Sequence, residues 1–447
     1  MRDQITIFLP VETKSRELPY KSPLAFLLAN LGCKVLIGRQ QELRLLWFNK
    51  RNFFYLDKSC ARTKYNLYRD IKSCGGGIGV FCEEGLVYRT KQQYLSERIY
   101  QKSFDLIDIF WCWGRKQFTD ISEKYNKSKL KIIDPPRLSI TLKYKEALRS
   151  KNKKEKKVLF LTSFGRLDKR INNKKLTQLE ILKKRGTYNP EIGEKFYSDW
   201  DNYLKQYQKK FIHLIEKFCE SFSDIKCSIR IHPSESKEKY RRLVEKYPNL
   251  EFSEFLQIGD SIINSTHIIS SFSTSSVEAK LINSNSYVYN PNSDQRYEPK
   301  IIKDICNCYS NYEEIFSEVL SNKINFKENI HLKEYISTIE TDSINILKNY
   351  ANEIYNIGKS IKYETNIVSS FFIRTKYLIK HNLRNILYFL RIKKDSLVAK
   401  SKCNLITSKD IIKYGEEFLC QHDTFSRIKN NFGIKKINNN VFEVYKY

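Results

Sequence analysis

The sequence is poor in turn formers, in acid and in long apolar runs, and each shortage removes a class of protein. Only 15 Gly and 10 Pro occur in 447 residues, which excludes collagen-like and low-complexity chains. The 11 Cys, at 33, 60, 74, 82, 112, 219, 227, 306, 308, 403 and 420, form no CxxC pair. Neither zinc-ligand spacing nor a disulfide framework is therefore suggested, and reduced, mostly buried thiols are expected. Nowhere do 18 uncharged apolar residues run together, so no membrane-spanning helix is expected. The opening MRDQITIFLPVETKSREL holds a single short, mostly apolar run, Ile5 to Pro10. It is too short for a secretory leader and has no small-residue cleavage site. These absences predict a cytoplasmic protein.

Acid is scarce: 50 Asp plus Glu face 79 Lys plus Arg, for a formal charge of +29 and a pI near 9.5. That balance invites a nucleic-acid reading. No recognised RNA- or DNA-binding motif accompanies it, however, so no specific nucleic-acid partner is expected. With 41% hydrophobic and 13% aromatic residues the chain can bury a substantial core, and its length favours about two domains.

Short apolar runs alternate with helix-length segments along both halves. Strands are predicted at Ile5 to Leu9, Val35 to Ile37, Phe53 to Leu56, Ile78 to Phe81, Ile109 to Trp113 and Lys131 to Ile133. A helix is read from Ser22-Pro23, as N-cap and first-turn proline, to Leu31. After 143–157, with eight basic and two acidic residues, the alternation resumes. Strands are predicted at Val158 to Thr162, Cys227 to Ile231, His267 to Ser270 and Ser286 to Tyr289, with helices around Tyr197 to Phe222 and over Thr274 to Ile282.

This pattern predicts an α/β protein of two Rossmann-like lobes with a cleft between them, plus a helical basic C-terminal extension. The expected divisions are an N-terminal lobe over 1–142, a basic linker over 143–157, a second lobe over 158–330 and the extension over 331–447. Between Ile367 and Lys402 there are nine basic residues and one acid, interleaved with Phe, Tyr, Leu and Ile. Such a segment suits an anionic membrane interface, or else a helix with its apolar side on the protein and its basic side in water.

Three segments could carry chemistry. In GGGIGVFCEEGLVY, residues 75 to 88, a strand delivers Glu83 and Glu84 to its carboxyl end and Gly85 permits a turn, which would aim a carboxylate as a general base. In Arg230-Ile231-His232-Pro233 a strand ends on a histidine that can hydrogen-bond a phosphate, with Pro233 fixing the turn and Arg230 either on the same side or paired elsewhere. In IISSFSTSSVEAKL, residues 268 to 281, a Ser-rich turn opens a helix, so hydroxyls and free amides at Ser273, Thr274, Ser275 and Ser276 form an anion site or, in part, an ordinary N-cap. Glu278 could reach a ribose hydroxyl or face solvent. Trp111 and Trp113 are read as core.

Together these segments resemble the acidic-acidic-Gly, His-Pro and Ser-Ser motifs of bacterial sialyltransferases and related CMP-sugar transferases of the GT-B fold. PVETKSREL at 10 to 18, LIGRQ at 36 to 40, YLDKS at 55 to 59, EEGLVY at 83 to 88 and the WCWG segment resemble bacterial surface carbohydrate biosynthesis proteins. The resemblance implies an acceptor-side first lobe and a nucleotide-binding second lobe. By it, Glu83 or Glu84 takes the acceptor proton, and His232, Ser275 and Ser276 hold the CMP phosphate. No metal and no resident cofactor are implied, the nucleotide sugar being a substrate. Lys14 and Arg16 would face the cleft, with Arg16 either gripping a donor-sugar carboxylate or standing as an exposed loop charge.

The expected activity is transfer of an acidic sugar from a CMP-sugar donor to a glycan or lipid-linked glycan acceptor, on the inner face of the membrane or free in the cytoplasm. Competing readings are a polyol-phosphate transferase of the teichoic-acid type and a noncatalytic basic protein binding nucleic acid or membrane.

Overall fold

The computed structural model describes residues 4–43, 46, 52–150, 155–168, 170–171, 174–321, 331–337, 342–361, 367–389, 403, 405–419, 431–438 and 440–447. The chain divides into two compact units: Met1–Glu83, Arg98–Ile140 and Ile336–Tyr447 form the first, Glu84–Glu97 and Thr141–Tyr335 the second. Each is built on its own largely parallel sheet.

In the first unit six parallel strands, β1 (Thr6–Val11), β2 (Lys34–Arg39), β3 (Phe53–Asp57), β4 (Gly77–Phe81), β5 (Ile109–Cys112) and β6 (Leu130–Ile132), lie in the order 2-1-3-4-5-6. β1, β3, β4 and β5 are buried along their whole length. Helices cover both faces of such a sheet, which explains why these strands read as continuous apolar runs instead of alternating ones. Trp111 and Trp113 are core residues, as expected, and Tyr350 packs edge-on against Trp111.

The second unit begins with β7 (Lys157–Leu161) and a small ribbon, β8 (Arg170–Ile171) with β9 (Lys174–Lys175). Its main sheet adds β10 (Lys226–Arg230), β11 (Leu250–Phe252), β12 (His267–Ser270), β13 (Ser286–Tyr289) and β14 (Asn307–Tyr309). The spatial order is β11-β10-β7-β12-β13-β14. Counted from β7 and leaving out the ribbon, that is 3-2-1-4-5-6, the order of dinucleotide-binding domains. The amphipathic helix Glu194–Ser221 lays Trp200, Tyr207, Phe211, Leu214 and Phe218 into the core beside β7 and β10.

Several expectations are corrected. The first helix runs Lys14–Asn30, straight through Pro19 and Pro23, where the sequence reading began it at Ser22. Almost every residue from Glu17 to Ala29 is buried, and that packing outweighs the amide hydrogen bonds the prolines cannot make. Helix Leu138–Arg149 takes up 143–149 of the expected linker, a stretch whose sequence suited a solvated linker or an exposed helix, while 151–154 lie outside the described residues.

The C-terminal region is mainly helical, but it does not stand apart. Helix Ser343–Ser360 packs on helix Lys14–Asn30. A terminal hairpin, β15 (Phe432–Asn438) with β16 (Val441–Lys446), adds antiparallel strands to the free edge of β2. Covering that edge removes a row of unpaired backbone groups. The ten described cysteines are free, nine of them buried.

Candidate functional site

In each unit the chemistry gathers at the carboxyl ends of the parallel strands, where ligands bind in folds of this kind. In the second unit Arg230, Leu161 and Ser270 stand in register on neighbouring strands. The His-Pro turn and the Ser-rich turn therefore leave the sheet on either side of β7, about 10 Å apart at two strand spacings of about 4.8 Å. The order of the sheet reverses between β7 and β12, at the crevice where nucleotides sit in such domains.

His232 is exposed, and its Nδ1 accepts the backbone N–H of Ser234 at 3.2 Å. In the neutral ring, with Nδ1 as the acceptor, the proton is on Nε2. Gly165, in the loop after β7, makes room for the imidazole: a Cβ there would stand 2.7 Å from Nδ1 and 2.9 Å from Cβ of Ser234.

Buried Glu235 ties the two loops together. Its Oε1 accepts Thr162 Oγ1 at 2.9 Å and Phe164 N–H at 2.7 Å, and its Oε2 accepts the Tyr240 hydroxyl at 2.6 Å. Thr162 Oγ1 in turn accepts the His232 amide at 3.2 Å. Burial pushes the Glu235 carboxyl up, against the pull of its three donors. Beyond this loop Arg166 stacks on buried Trp200 at 4.0 Å, and Arg89 stacks on the same indole at 3.6 Å. Two guanidinium groups thus stand near the segment that follows β7.

In the Ser-rich turn the hydroxyls separate into two kinds. Ser276 is buried; its Oγ donates to Ser271 O at 2.6 Å and accepts Ser273 N–H at 3.2 Å. Its proton is spent on closing the turn, which corrects the expectation that it donates to a phosphate. Ser273, Thr274 and Ser275 are half-buried at the start of helix Thr274–Ile282, where the first amides have no carbonyl one turn back. Tyr207 supports the turn by accepting Phe272 N–H at 3.3 Å.

Arg230 is paired elsewhere, the second of its two sequence readings. It donates to Phe255 O, to Leu256 O at 2.9 Å and to Ser261 Oγ at 3.1 Å, clamping the chain after β11. Glu278 is buried, which removes the solvent-facing alternative.

In the first unit a charged network occupies the ends of β1, β3 and β4. Glu17 is fully buried in the first turn of its helix, accepting the amides of Glu12 at 3.1 Å and Thr13 at 3.0 Å, with Lys21 at 2.7 Å and Lys58 at 3.0 Å. Burial opposes its charge, but Lys21 and Lys58 hold the carboxyl far below the usual carboxylate range. Glu12 completes the set with Lys58 at 2.9 Å.

Glu83, just past β4, is 3% exposed. Its Oε1 accepts the Tyr20 hydroxyl, while its Oε2 has no hydrogen-bond partner. Lys21 stands 3.9 Å from Oε1, and Nε of Arg16 3.7 Å from Oε2. Burial, with the negative charges of Glu83 and Glu17, raises the Tyr20 phenol well above its ordinary value, so it stays a donor. Glu84 is exposed, so the two carboxylates between which the sequence left the choice of base open, with a lean to Glu83, differ in burial. Gly85 sits buried in the turn but is not among the glycines with positive φ, so that turn does not demand glycine.

Lys14 is tied to Asp410 at 2.8 Å and to Leu405 O at 2.9 Å. Among the described residues no group of His, Cys, Asp and Glu could hold a metal ion, and no helix is long and apolar enough to cross a membrane.

Sequence reasoning missed Glu17, Tyr20, Lys21, Lys58 and Glu235 as parts of a site. The Glu17–Lys21 spacing of four on a helix was a legible signal.

No protein-family model matches the chain, and no curated protein matches it in sequence. Among solved structures, it is similar to UDP-GlcNAc 2-epimerase from Methanocaldococcus jannaschii, at TM-score 0.47 and 11% identity over 78% of this chain and 100% of that one. The same enzyme from Neisseria meningitidis, bound to UDP-GlcNAc, gives TM-score 0.44 and 12% identity over 79% and 100%. The wall teichoic acid polymerase TagF gives 0.34 and 9% over 85% and 90%.

Proposed function

We propose that the protein is a glycosyltransferase of surface polysaccharide biosynthesis that moves an acidic sugar from a CMP-sugar donor to a hydroxyl of a glycan or lipid-linked glycan. The observation that carries this reading is the second unit's strand edge. There His232, exposed and with its Nδ1 taken up by the Ser234 amide, and the helix start at Thr274 and Ser275 flank the point where the sheet order reverses. Neutral donors and oriented amides suit a phosphate leaving group and need no metal.

In this reaction Glu83 Oε2 takes the proton of the acceptor hydroxyl. The acceptor oxygen bonds to the anomeric carbon as the bond from that carbon to the phosphate oxygen breaks. His232 Nε2–H and the Ser275 hydroxyl and amide stabilise the charge that develops on CMP. Tyr20 holds Glu83 by its other oxygen, and Arg16, beside Oε2, is suited to a sugar carboxylate. In both parts the binding groups are set before substrate arrives, so little reorganisation accompanies charge development.

The test is a donor panel. The protein is incubated with CMP-sialic acid, CMP-Kdo, CDP-glycerol and UDP-GlcNAc, and nucleotide release is followed. Release of CMP from an acidic-sugar donor, lost in Glu83→Gln, is expected. Release from CDP-glycerol alone would instead make the protein a polyol-phosphate transferase.

A further inference from the structure

Helix Ile367–Phe389 carries its apolar side outward. Among its described side chains the buried ones are Ser370 and Tyr377, seven apart on one side. Tyr377 Oη bonds Asp70 at 3.1 Å and Lys376 Nζ bonds the same carboxylate at 2.9 Å, on helix Tyr65–Ser73. At 100° per residue, Phe371, Phe372, Leu378, Ile379, Leu383 and Ile386 fall within a broad band opposite Tyr377. All six are exposed, Phe372 at 68% and Ile379 at 59%. An ordinary surface helix has the reverse polarity, with its apolar stripe on the core. Here polar and ionic contacts bind the helix to the fold and the stripe is left to the outside.

Cations border that stripe. Arg374 lies along one margin and Lys376 and Lys380 along the other, and residues 367–389 contain no acid at all. An apolar band rich in Phe and Leu with a basic margin is complementary to an anionic lipid surface, where rings and alkyl chains enter the acyl boundary and cations meet headgroups.

We propose that this face docks the protein onto an anionic bilayer, with the helix lying in the plane of the interface. The inference goes beyond the proposed activity and does not depend on it.

The test is cosedimentation of the full-length protein with vesicles of phosphatidylcholine alone or of phosphatidylcholine mixed with phosphatidylglycerol. Binding to the mixed vesicles that weakens with salt is expected. The combined variant Phe372→Ser, Ile379→Ser and Leu383→Ser alters exposed positions only, and circular dichroism verifies that it folds. It should bind roughly tenfold or more weakly, because apolar area drives insertion. Failure of the wild-type chain to bind, or equal binding by the folded variant, overturns the proposal. So does a dimer in lipid-free sedimentation that this variant abolishes, since the face would then belong to a second copy. The readout contains neither nucleotide nor sugar, so its failure leaves the donor panel untouched, and the reverse.

Discussion

The hydroxyl of Tyr20 donates to Oε1 of Glu83, while Oε2 of the same carboxylate is buried without a hydrogen-bond partner. Tyr20→Phe should keep the packing while freeing the carboxylate to rotate. It also leaves a buried acceptor unmet, at about 1–3 kcal/mol of stability. We expect CMP release to fall about tenfold, equivalent to roughly 1.4 kcal/mol of barrier. Glu83→Gln should abolish release, while Glu84→Gln, at an exposed position, should retain most of it. Initial rates with a saturating CMP-sugar check the order of the three variants.

Glu17 gives a pH prediction with a definite sign. Its ordinary value is 4.5 and the fold lowers it, so the unfolded chain binds the proton more readily. The stability it contributes is fully present above about pH 4.5 and is lost as the pH falls from there toward the lower folded value. Glu17→Gln leaves Lys21 and Lys58 facing a neutral group and should cost about 3–5 kcal/mol at neutral pH. The difference from wild type should shrink in acid. Urea denaturation at about pH 7 and about pH 4 measures both.

Gly165 and His232 are coupled by contact. Gly165→Ala puts a methyl 2.7 Å from Nδ1, closer than packed atoms tolerate, so the imidazole must turn and lose the Ser234 amide. The expected result is a loss of CMP affinity approaching that of His232→Ala, with the fold preserved. Titration of CMP into both variants tests it, and the His232 ring resonances should move in Gly165→Ala.

The two neighbouring serines should behave differently. Ser276→Ala removes a buried donor and the acceptor of Ser273 N–H, which should lower stability by about 1–2 kcal/mol. Ser275→Ala should leave stability nearly unchanged and weaken CMP binding several-fold. Melting temperature and CMP affinity, measured on both, separate closing the turn from holding the phosphate.

The buried strands were legible because a parallel sheet covered on both faces leaves uninterrupted apolar runs; β12, β13 and helix Thr274–Ile282 fall where the sequence put them. Strands β11 and β14 escaped notice because each spans three residues at a sheet edge. The terminal hairpin was missed because its partner, β2, lies some four hundred residues away in sequence. Of the site, residue types were readable but partners were not. No local pattern says that Arg230 will be taken up by Phe255, Leu256 and Ser261, or Lys14 by Asp410. Helix Ile367–Phe389 shows the same limit: its amphipathic period was visible, but the side facing the protein was decided by Asp70, just over three hundred residues before its partners Lys376 and Tyr377.

The central claim is that the strand edge bearing His232 and the Ser-rich turn holds the phosphate of a cytidine nucleotide. Calorimetric titration of CMP into the wild-type protein and into the His232→Ala, Ser275→Ala double variant tests it most directly. We predict saturable one-site binding to the wild type, weakened at least tenfold, or about 1.4 kcal/mol, in a double variant with an unchanged melting temperature. Equal CMP affinity in the two proteins, or no binding to the wild type, would contradict it.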